Sequence, residues 1–190
     1  RCGLSGQSRG AIIAGRVAGT FSDRVTQVAL IDGYLPMPQL ADNTAKQVMK
    51  AIRENKRFGS SSPTYFQDYD RAVQARVNGF VPLQLEAAKL LAERGVIESA
   101  RGFCWSNDQR LKAASYVKFS KEYLESFFSA IVAPVLLIQA ENSAFSPERQ
   151  QSEFFGWVKH MQIEKMAGSH HLHLEDQAEA VASRIQAFFY

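Results

Sequence analysis

The chain has 190 residues, 46% of them hydrophobic, enough for one domain with a real core and too apolar for general disorder. Its net charge of +3 comes from 22 basic and 19 acidic residues without a Lys/Arg tract, so nucleic acid is not an expected partner. The two cysteines make no disulfide framework, the four histidines lack Cys partners at zinc spacing, and no apolar run reaches membrane-spanning length, so a cytoplasmic protein without metal or organic cofactor is expected.

In chain order, Leu4-Ser5 reads as the end of a strand, and residues 8–20 carry small and aliphatic side chains at helical spacing. VTQVALID (25–32) is β-branched and apolar, a buried strand ending at Asp32 and stopped by Gly33, Pro36 and Pro38. A polar, helical section follows. Residues 43–58 place Ala45, Val48, Met49 and Ile52 on one face, and the loop SSSP (60–63) opens onto PTYFQDYDRAVQARV. Residues 83–95 form a helix stopped by Gly95, ESARGFCWSNDQRLK is less regular, and 121–131 resume the helical pattern.

The remainder returns to alternation. APVLLIQA (133–140) predicts a continuous apolar strand, 146–160 a helix with a Ser-Pro start, 161–168 a short strand and 175–189 an amphipathic last helix. The chain therefore divides into 1–38, 39–130 and 131–190, an α/β core interrupted by a helical insertion. Alternating strands and helices imply a parallel sheet covered on both faces.

Chemistry concentrates in two places. Gly6-Gln7-Ser8-Arg9-Gly10 is a Gly-x-Ser-x-Gly pentapeptide lying between strand and helix, the context of a nucleophile elbow. There the serine sits in a strained backbone, the flanking glycines avoid clashes, and the N–H of the next residue, Arg9, faces a developing oxyanion. Alone, the pentapeptide reads more readily as a serine in a Gly-rich turn. GSHHLHLEDQAE (168–179) holds three of the four histidines, in the loop between the last strand and the last helix. A general base is needed there in the order Ser, acid, His. His170 comes first after the strand and is the candidate base. His171 stays open as an alternative, and His173 is expected to pack or bond locally. For the acid, Asp32 at the end of the second strand is preferred to Glu141 after APVLLIQA. The other reading of Asp32 is a turn-former before Gly33.

Together these segments resemble the α/β-hydrolase superfamily. SRGAIIAGRVAGTFSDRVTQVALIDG resembles its nucleophile helix and next strand, APVLLIQAENSAFSPE its penultimate strand, and MAGSHHLHLEDQAEAVASRIQAFF its histidine loop and last helix. WSNDQRLKAAS (105–115) resembles the branch called serine hydrolase-like proteins. The resemblance implies the C-terminal part of that fold, with 39–130 as a helical cap. It implies hydrolysis of ester-type bonds in a small hydrophobic substrate by Ser8, His170 and Asp32, with Gln7 and Trp105 as substrate-binding candidates. Gln7 stands where the family usually has His. Arg1 reads as an internal residue of a longer protein, because the fold's first strands and its second oxyanion donor belong before Leu4. The competing readings are an inactive fragment or non-catalytic hydrolase-like binding protein, and a carbon–carbon bond hydrolase.

Overall fold

A computed structural model of the chain describes residues 1–143, 145 and 152–190. They form two compact units, one of residues 1–39 and 119–190, the other of residues 40–118.

The first unit is built on a four-stranded parallel sheet of β1 (Cys2–Gln7), β2 (Val25–Ile31), β5 (Val135–Ala140) and β6 (Met161–Met166), in the order β1-β2-β5-β6. Every residue of β5 is buried, as its unbroken apolar run requires of an inner strand covered on both faces. Alternate residues separate two layers. Val28, Leu30, Val135 and Leu137 face α1 (Arg9–Thr20) and α5 (Lys121–Ser129). Ile31, Leu136, Ile138 and Ala140 face the last helix, α6 (Ala178–Phe189), through Val181, Ile185 and Phe188.

The small residues of α1 set how close α5 comes. A Cβ on Gly15 would stand 2.7 Å from the Phe128 ring, and one on Gly19 2.0 Å from the Phe127 carbonyl oxygen. The second contact is with backbone and cannot rotate away. Gly19→Ala is therefore expected to lower stability by at least about 1–3 kcal/mol. Urea melts of the two chains check this; equal midpoints would show that the helices do not meet there.

The helical middle section expected over 39–130 differs in extent: the second unit ends at Lys118. The reason is α5, whose Leu124 and Phe128 are fully buried in the core that also holds Ala11, Ala14 and Ala18. Within the second unit lie α2 (Thr44–Gly59), α3 (Tyr69–Val77), α4 (Leu85–Gly95) and an antiparallel hairpin of β3 (Val96–Ser99) and β4 (Gly102–Trp105). That hairpin occupies the stretch whose pattern gave no regular element. The start of the helix expected over 146–160 lies outside the described residues, and Ser152–Trp157 forms a 3-10 helix. No helix of the described residues is long and apolar enough to cross a membrane.

Candidate active site

The parallel register brings one end of each of the four strands to the same place. Gln7 ends β1 and pairs with Ile31; Asp32 follows β2 and donates its N–H to Ile138 O (2.8 Å); Ala140 ends β5; and β6 runs into the loop that carries His170. The carboxyl end of a parallel sheet is where such folds hold ligands.

Among the described residues, two non-glycine residues have positive φ, Ser8 at 52° and Asp32 at 41°. Each such conformation costs about 1–3 kcal/mol, and surrounding contacts must hold it. For Ser8 those contacts are visible. Its N–H donates to Ile31 O (2.9 Å), and its own carbonyl accepts from Ile12 N (3.2 Å). A serine preceding a helix ordinarily caps it with the side-chain oxygen. Ser8 precedes α1 but makes no such bond, so its hydroxyl is not committed to the helix. Arg9 opens α1 directly after it, which puts its N–H in the first turn of a helix N-terminus.

The glycines here do different things. A Cβ on Gly6 would stand 2.4 Å from the carbonyl carbon and oxygen of Gly10 and 2.7 Å from Ala11 N. One on Gly10 would meet nothing within 4 Å. The expectation that both flanking glycines avoid clashes is corrected accordingly: the strand crosses the helix at Gly6, and Gly10 supplies only the backbone it crosses. Gly33, read from sequence as a strand stop, also packs here. Its Cβ would lie 2.5 Å from Ser8 O and 2.8 Å from Ser8 Cα.

His170 lies in a loop that opens at Gly168, φ 118°. Leu172, fully buried, anchors that loop in the α6 layer. Ser169 tightens it, donating to Glu175 (2.5 Å) and accepting from His171 N (3.1 Å). His170 and Asp32 are both buried, at 6% and 0% exposure. His170 Nδ1 stands 2.5 Å from Asp32 Oδ2, and Asp32 Oδ1 accepts from Ala140 N (3.0 Å). Asp32, not Glu141, is thus the carboxylate bonded to His170; Glu141 is exposed, and its backbone N–H donates to Met166 O (3.0 Å).

Neighbouring side chains fall on either side of this pair. His171 sets its ring 5.0 Å from that of His170, centroid to centroid. Burial pushes His173 below the usual histidine value, and the adjacent His170 adds to the same effect. Gln7, a substrate-binding candidate in the sequence, bonds through its amide to His170, with Nε2 3.0 Å from His170 O and 3.1 Å from His170 Nε2. No local pattern gives this contact away, because 163 positions separate the partners. Trp105 lies in the second unit, where its indole donates to Ala72 O (3.0 Å) and its ring packs at Gly95. The cleft it lines with Phe66 and Asn107 holds about 210 Å³, below the roughly 300–1,000 Å³ of ordinary ligand sites. Among the described residues, no group of three or more His, Cys, Asp and Glu side chains could hold a metal ion.

A parallel sheet clad by helices on both faces, with a serine, a histidine and a carboxylate at the carboxyl ends of its strands, defines an α/β protein with its polar cluster at the usual ligand end. No family model matches the chain. It is 23% identical over 197 residues to the serine hydrolase-like protein of Danio rerio and 26% identical over 204 residues to serine hydrolase-like protein 2 of Homo sapiens. Each alignment takes in 99% of this chain, which spans 60% and 65% of those relatives' lengths. A crystal structure of a hypothetical protein from Pseudomonas aeruginosa PAO1 matches all of the chain, which covers 67% of that protein, at 30% identity with a TM-score of 0.88. A thioesterase domain from the curacin biosynthetic pathway shares the fold at 19% identity, over 96% of this chain and 65% of the domain, with a TM-score of 0.76. The chain has the fold of the α/β-hydrolases.

Proposed function

We propose that this chain carries the reaction centre of a serine hydrolase that cleaves ester-type bonds of small acyl substrates, with Ser8 as nucleophile, His170 as general base and Asp32 as the acid behind it. The observation that carries this reading is the buried His170–Asp32 pair at 2.5 Å, bonded to Gln7, the residue that precedes a strained Ser8. The similarity to proteins named serine hydrolase-like supports it.

In this reading Ser8 Oγ attacks the acyl carbon while His170 Nε2 takes the hydroxyl proton. Asp32 accepts from Nδ1–H, so the ring can carry a positive charge as the proton arrives. The Arg9 N–H faces the tetrahedral oxyanion, one donor of the pair such a site uses. His170 then returns its proton to the departing alkoxide, leaving an acyl group on Ser8. A water molecule, deprotonated by the same Nε2, releases the acid and restores Ser8. The chemistry calls for no metal or organic cofactor.

Turnover of a p-nitrophenyl ester by the chain, compared with Ser8→Ala, tests this reading. Release of p-nitrophenol that disappears in Ser8→Ala is expected. Equal release by both chains would remove Ser8 from the reaction.

A further inference from the structure

Gln7 makes two contacts with one residue. Its side-chain nitrogen donates to the carbonyl oxygen of His170 at 3.0 Å and stands 3.1 Å from the ring Nε2. A carbonyl oxygen can only accept, so the Gln7 atom facing it is the amide nitrogen; the flipped amide would set two acceptors against each other. The second amide hydrogen is then directed at Nε2, which must offer a lone pair. In the neutral ring that leaves the proton on Nδ1, where Asp32 Oδ2 lies 2.5 Å away to accept it. Asp32 cannot readily turn, because its other oxygen accepts from Ala140 N.

We propose that Gln7 is a positioning residue for His170, holding the imidazole in the one neutral tautomer able to take a proton from Ser8. This inference deepens the hydrolase reading and rests on it. The position is well suited to the task. Gln7 ends β1 and immediately precedes Ser8, so it fastens the histidine loop to the turn that carries the hydroxyl. Among the described residues no hydrogen bond joins Ser8 to His170 in this structure; the donor at Nε2 is Gln7. As the Ser8 hydroxyl turns toward Nε2, the amide keeps its bond to the backbone oxygen and yields the lone pair. A ring held only by Asp32 lacks that second fixed point.

The test uses histidine-15N-labelled chain as wild type, Gln7→Leu and Gln7→Glu. His170 is assigned by difference against His170→Asn, and phosphonylation of Ser8 by a fluorophosphonate is timed on the same samples. In the neutral wild-type ring, Nε2 is expected to carry the lone pair and Nδ1 the proton, and the Nε2 signal is expected to move in Gln7→Leu. That variant loses one donor, and its labelling is expected to slow by about two- to twelve-fold, the worth of a single hydrogen bond. Gln7→Glu is nearly isosteric but puts an acceptor where the donor was, drawing a proton onto Nε2. Its labelling is expected to slow by at least about 100-fold, the loss of a general base. A proton on Nε2 in the neutral wild-type ring would overturn the proposal. So would an Nε2 signal indifferent to Gln7→Leu, faster labelling of Gln7→Leu, or equal labelling of the two variants. Absence of Ser8 labelling in a folded wild type sinks the hydrolase reading instead, and the nitrogen shifts then decide on Gln7 alone.

Discussion

Asp32→Asn is expected to cut ester turnover about 10⁴-fold while leaving the chain folded. The size of the effect follows from which oxygen does what. Asp32 Oδ1 accepts from Ala140 N, and Oδ2 faces His170 Nδ1. In the variant the amide oxygen must take the place of Oδ1, because Ala140 offers only a donor. The amide NH2 group then faces Nδ1 and forces the proton to Nε2, the wrong tautomer for a base. Glu141→Gln is the control: its side chain is exposed and turnover is expected to stay unchanged. Turnover of both variants, with thermal melts to verify folding, checks the pair. An active Asp32→Asn beside a dead Glu141→Gln would move the acid to position 141.

The second large effect is expected at Gly6. In Gly6→Ala the added methyl meets the Gly10 carbonyl carbon and oxygen at 2.4 Å, and Ala11 N at 2.7 Å. All of these atoms are backbone, so relief requires β1 and α1 to part, and Ser8 is the residue between them. A loss of more than ~3 kcal/mol is expected, with ester turnover lost alongside. Gly10→Ala is expected to leave the fold intact, because its methyl enters open space and alanine gains about 1 kcal/mol of helix propensity over glycine. Thermal melts of the two variants separate the cases. Equal stability would mean that the crossing of strand and helix is looser than these distances.

Much of this was legible in the sequence, for reasons that differ by element. β2 and β5 announce themselves as β-branched and apolar runs because inner parallel strands are buried on both faces. Ser8, Asp32 and His170 could be singled out because they follow strand ends, and a parallel sheet collects those ends at one edge. What escaped depends on contacts between distant residues. The Gln7–His170 bond spans 163 positions, and an amide offers no periodicity to betray it. The β3–β4 hairpin is two four-residue strands, too short for alternation to register. The place of α5 in the core follows from its fit to the glycines of α1, visible only once both helices are placed.

Whether Ser8 is the nucleophile is tested most directly by mapping where a fluorophosphonate attaches. The folded chain is treated with the probe, digested, and its peptides are sequenced by mass spectrometry. A single phosphonyl adduct on Ser8 is expected, absent from Ser8→Ala and lost from His170→Ala. An adduct at another serine, or a folded chain that takes none, would contradict it.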